Sequence, residues 1–122
     1  MKRSEISRTI VAVAMMLIGW LPSLAYGIGS YINNYDFVID EIYFKRTGTN
    51  TASVTYKDRS VDGTFLSDYV GNVVIPEIVN YNEIAYSVTS IDNSAFRDCI
   101  DLTGVEIPNS VTSIGKLAFY DC

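Results

Sequence analysis

The sequence predicts a mainly β protein, in which a small β-rich N-terminal domain caps the start of a repeat solenoid. Three observations carry that reading. A 12-residue motif recurs at an offset of 23 residues near the end of the chain. Short alternating apolar runs, separated by turn residues, fill the middle. A basic start followed by an apolar stretch marks the beginning for export. The chain of 122 residues then divides into a signal peptide at 1–25, a β-rich leader domain at 26–70 and a solenoid at 71–122.

Lys2, Arg3 and Arg8 form a basic opening, and Ile10 to Trp20 is an uninterrupted apolar run of 11 residues. That run is well short of the roughly 20 residues needed to span a bilayer. Pro22 breaks any helix, and Ser23 and Ala25 supply the small side chains a signal peptidase accepts, so cleavage is expected after Ala25, with Gly27 as a second position. The mature chain would run from Tyr26 to Cys122, carry a net charge near -7 and have no membrane span.

In the leader, Phe37-Val38-Ile39 and Ile42-Tyr43-Phe44 flank Asp40-Glu41, a two-residue hairpin turn without the usual glycine. Thr47 to Asn50 is a second turn before an alternating strand at Ser53 to Tyr56. Lys57 to Gly71 reads as a loop. A second hairpin is expected with Ile78 to Tyr81 against Ile84 to Ser87, turning at Asn82-Glu83. This β-rich part would cover the edge strand of the solenoid, which is otherwise a template for aggregation.

The repeat is the most specific feature. Val88 to Cys99 (VTSIDNSAFRDC) returns as Val111 to Cys122 (VTSIGKLAFYDC), identical at 8 of 12 positions. Upstream, Gly71 to Pro76 pairs with Thr103 to Pro108 at an offset of 32, because nine further residues intervene. A period in the low twenties is the signature of a leucine-rich-repeat solenoid. Val105 and Ile107 would point inward and Glu106 outward, with period 2. Pro108 ends the strand because it lacks a ladder donor. Val111, Ile114, Ala118 and Phe119 would then close the coil on the same core, each coil contacting only its neighbours. Solenoids generally need about three repeats or more. With about two, either the array is truncated, exposing an apolar edge at Ile107, Val111, Ile114 and Phe119, or this is a short member whose leader domain supplies most of the core.

Composition narrows the function. The full chain has no histidine, 9 Lys+Arg and 14 Asp+Glu. The commonest general base and metal ligand are missing, so Ser-His and Cys-His nucleophile pairs cannot form. A net negative charge disfavours nucleic acid. No nucleophile and base, metal set or cofactor site can be assembled from spacing, so an enzyme is not expected.

The strings VTSIDNSAFRDC, LTGVEIPNSVTSIGKLAFYDC (Leu102 to Cys122) and GNVVIPEIV (Gly71 to Val79) resemble the BspA-like leucine-rich-repeat proteins. These are secreted or surface-displayed proteins, many from bacteria, and the segment before residue 71 resembles the aromatic β-rich leader that often precedes their repeats. The resemblance implies an exported, non-catalytic protein at the cell surface or outside the cell, adhering to host or matrix proteins. In such solenoids the strands line a concave face, and its outward positions here are Asn72, Val74, Gly104 and Glu106.

Other readings stand beside this one. Nine tyrosines, eight of them before Val88, raise a surface glycan-binding accessory, with Tyr43 and Tyr56 as sugar contacts, although strand tyrosines more often pack. A structural spacer is the third reading. Asp58 to Gly63 opens like a calcium loop, but the required carboxylate at the twelfth position is Tyr69, which leaves an acidic surface turn. Cys99 and Cys122 occupy equivalent positions of successive coils, within disulfide range; the family pattern implies small core residues rather than a bridge.

Overall fold

The computed structural model of the chain describes residues 31–66 and 69–122, so the expected signal peptide and cleavage positions lie outside the described residues. Within them the backbone forms eleven strands and no helix. Both expected hairpins are present. β2 (Phe37–Ile39) pairs antiparallel with β3 (Ile42–Arg46), and β8 (Ile78–Tyr81) with β9 (Ile84–Ile91). Each turns through two residues in the left-handed region, Asp40 and Glu41 (φ 48° and 67°) and Asn82 and Glu83 (φ 49° and 65°). Positive φ at both central residues is the type I′ geometry, whose twist matches that of the strands. Asp40 and Asn82 are of the types that tolerate this region, while Glu41 and Glu83 adopt it where glycine is usual.

The segment expected to be a loop between Lys57 and Gly71 is partly a sheet. β5 (Asp58–Ser60) pairs with β1 (Tyr31–Asn33) on one side and with β6 (Phe65–Leu66) on the other, all antiparallel. Gly63, at φ 94°, closes the tight β5–β6 connection, where Ser60 N–H donates to Thr64 O at 2.9 Å. The Asp62 carboxylate accepts from the Ser60 hydroxyl and, at 2.9 Å, from Thr64 N–H. The acidic stretch is thus a hairpin turn with Asp58 buried on its strand. Tyr69, at the twelfth position, is buried too: its hydroxyl donates to Thr55 O at 2.7 Å and accepts from Tyr43 N–H at 3.0 Å.

The repeats stack in parallel. β7 (Gly71–Val74) lies beside β10 (Leu102–Glu106), with Asn72 opposite Gly104 and Val74 opposite Glu106, the offset of 32 read from the sequence. β11 (Ser113–Ile114) lies beside β9, with Ser113 opposite Ser90 and Ile114 opposite Ile91. The ladder continues past the strands: the N–H groups of Ser94, Phe96 and Asp98 donate to Lys116, Ala118 and Tyr120 at 2.8–3.0 Å. Backbone shape repeats as well, since Ser94 and Leu117 (φ 60° and 56°) and Asp98 and Asp121 (φ 61° and 53°) share the left-handed region.

The leader joins this stack directly. β4 (Thr51–Thr55) pairs antiparallel with β3 and parallel with β9, Val54 lying opposite Ile91. β4 therefore occupies the place of a preceding coil, and the covered edge expected of the leader is seen. One apolar core runs through leader and repeats, with Phe44, Val54, Val88, Ile91 and Phe96 fully enclosed. Each such side chain contributes roughly 1.5–3 kcal/mol by leaving water. On the far side of the second coil, Ile107, Ile114 and Phe119 are exposed as expected, whereas Val111 is half-buried against the core.

Candidate functional site

The alternation of β7 and β10 decides which side chains reach solvent. Val73 and Ile75 are buried and Val105 packs against the core, which turns Asn72, Val74 and Glu106 outward. The register then sets the four positions named from the sequence as a patch two residues wide and two deep, Asn72 beside Gly104 and Val74 beside Glu106. The structure does bring them together. Across the diagonal, Asn72 Nδ2 donates to Glu106 Oε1 at 2.8 Å, which orients the carboxylate. Gly104 leaves room for this: a Cβ there would lie 2.7 Å from Asn72 Oδ1. Val74, 56% exposed, places an apolar surface directly beside the oriented charge.

The other sequence candidates are placed differently. Tyr43, a sugar contact only under the glycan reading, is buried, with its ring tilted against Tyr35 at 4.9 Å and edge-on to Tyr69 at 5.7 Å. Tyr86 is buried against Phe37, which also stacks on Tyr81 at 4.4 Å, so these aromatic rings build core. Tyr56 differs: it is half-buried, with its ring edge-on to Phe65 at 4.9 Å. Cys99 and Cys122 are not disulfide-bonded. Cys99 is a buried core residue, as the family pattern implies, but Cys122 is exposed and its S–H donates to Phe96 O at 2.9 Å. Burial raises the Cys122 pKa, and the carboxylates of Asp98 and Asp121 push it the same way.

Sequence reasoning missed a groove lined by Asn34, Lys45, Tyr56, Asp92, Asn93 and Ser113. Its members come from five separate segments, so no motif announces it. The register of β4 on β9 would have to be known first.

The family model described as "BspA type Leucine rich repeat region (6 copies)" matches residues 72–122. Residues 72–122 form a leucine-rich-repeat region of the BspA type. That match begins on β7 and takes in every parallel strand of the repeat half. Similar solved structures reach further, into the leader. A leucine-rich repeat protein from Bacteroides ovatus is 36% identical with a TM-score of 0.58, covering 70% of this chain and 21% of its own. A leucine rich cell surface protein from Faecalibacterium prausnitzii is 27% identical with a TM-score of 0.58, covering 75% and 22%. A leucine-rich repeat protein from Bacteroides capillosus is 32% identical with a TM-score of 0.54, covering 76% and 59%. The chain thus spans about a fifth of the length of the first two and under two thirds of the third. Among curated proteins, none matches.

Proposed function

We propose that this BspA-type chain is an exported, surface-displayed binding module that engages extracellular proteins, such as those of a host surface or matrix, through the outward face of β7 and β10. The observation that carries the reading is the Asn72–Glu106 hydrogen bond beside exposed Val74. An apolar centre flanked by an oriented charge provides both area and register for a partner. The basic and apolar start of the sequence supports export, and likeness to a protein described as a leucine rich cell surface protein supports the location. A standard interface takes on the order of 800 Å² per partner, so this patch acts as one part of a larger contact.

The test is binding of the exported chain to a panel of purified extracellular-matrix and host-surface proteins. Val74→Asp and Glu106→Lys are compared with the parent, with folding checked by circular dichroism. Binding that both variants abolish is expected. A panel with no binder, or binding that neither variant alters, would overturn the reading.

A further inference from the structure

A second site lies on the other sheet. Val54, Ile91 and Ile114 stand in register on the three parallel strands β4, β9 and β11, so β9 and β11 end at one level and β4 one residue later. The residues just beyond, Tyr56, then Asp92 with Asn93, then Gly115, come to line one open groove with Asn34 and Lys45, about 470 Å³ in volume. That volume is within the roughly 300–1,000 Å³ of small-molecule sites. Leader and both repeats contribute, so the groove exists only when all three are stacked.

We propose that this groove binds a neutral saccharide. Asp92 and Lys45 place opposite charges on its wall, so neither a simple anion nor a simple cation meets a field of one favourable sign. The remaining wall is hydrogen-bonding. Ser90 and Ser113, opposite one another on β9 and β11, carry hydroxyls that both donate and accept. Asn93 Oδ1 is occupied by Lys116 N–H at 2.7 Å, which holds the side chain and leaves its NH₂ as a donor. Asn34 is also held, donating from Nδ2 to Thr55 Oγ1 at 2.6 Å and accepting from Lys45 Nζ at 3.4 Å. Such fixed polar groups lower the ordering cost of binding. Tyr56, its ring braced at 86° to Phe65, adds an apolar face. A sugar ring presents the complement: C–H groups for the aromatic face and hydroxyls that each donate and accept.

The test uses the exported chain and neutral gluco-, manno- and xylo-oligosaccharides, followed by calorimetry and by amide chemical shifts. Binding at one site per chain is expected, with shift changes centred on Asn93 and Ser113 in the parent chain. Tyr56→Ala weakens it about tenfold. Ser113→Trp, on an exposed position that fills the groove without touching the core, removes it. Glu106→Lys leaves it unchanged, which separates this site from the protein-binding face. The proposal is overturned if none of these sugars binds at millimolar concentration, if binding survives both groove variants, or if uronic-acid oligosaccharides or peptides displace the sugar and shift the same amides more strongly.

Discussion

Phe96 and Phe119, the aromatic positions of the two repeats, stack with ring centroids 5.2 Å apart and planes only 2° from parallel. The two rings are chemically equal but not equally enclosed: Phe96 is fully buried and Phe119 is 38% exposed. Phe96 also meets Tyr69 at 4.6 Å, so it ties the leader, the first coil and the second coil together.

That asymmetry predicts unequal mutational costs. Phe96→Ala leaves an enclosed cavity and is expected to cost about 3–5 kcal/mol. Phe119→Ala gives up a partly solvated ring and is expected to cost about 1–2 kcal/mol. Urea unfolding of both variants checks the order; equal costs would contradict the stacked arrangement.

Gly115 replaces Asp92 at the equivalent position of the second coil because space is lacking. A Cβ on Gly115 would lie 2.4 Å from both Asn93 N and Asn93 Oδ1. Gly115→Ala is expected to destabilise by about 1–3 kcal/mol through overpacking. Asn93→Ala in the same chain should not restore stability, since the backbone nitrogen remains in the way. Thermal unfolding of the single and double variants would show it.

Acid should weaken the β5–β6 turn. The Ser60 hydroxyl, followed by the Thr64 N–H, holds the Asp62 carboxyl down to about 2. An unfolded aspartate titrates near 3.9. A depressed folded pKa contributes stability that is fully present above the unfolded value and is lost as pH falls through the folded one. Stability of the parent chain should therefore decline between about pH 4 and pH 2 more steeply than that of Asp62→Asn. Parallel urea series at several pH values across that window provide the comparison, and identical slopes would remove Asp62 from the acid response.

The two thiols should separate kinetically. Cys99 is enclosed, whereas Cys122 is exposed but held by Phe96 O with its pKa raised by burial. Thiolate is the reactive form. A thiol reagent should label Cys122 first, faster as pH rises, and reach Cys99 only when urea opens the core. Mass-resolved labelling reads this directly, and early modification of Cys99 would contradict the enclosed position.

How much of this was legible in the sequence depends on whether identical residues recur. The second coil could be read because Val111 to Cys122 repeats Val88 to Cys99 residue for residue at most positions, and register followed from the offset. The β7–β10 face followed in the same way from an offset of 32. β4 was legible as a strand but not as the preceding member of the stack. Ala52-Ser53-Val54-Thr55 lacks the V-T-S-I string, and a register shift between Ala52 and Ser53 breaks any constant spacing to β9. β5 was hidden because Asp58-Arg59-Ser60 is polar and reads as a turn, while its stability comes from neighbours on both sides. Tyr43 packs, as strand tyrosines more often do, but alternation alone could not place it, because Ile42, Tyr43 and Phe44 are all buried and both faces of β3 are covered there.

The measurement that tests the central claim most directly is hydrogen exchange of the chain, alone and bound to the first extracellular protein it captures. The account predicts added protection concentrated at Gly71–Val74 and Leu102–Glu106. Protection that bypasses both strands and falls elsewhere on the chain would contradict it.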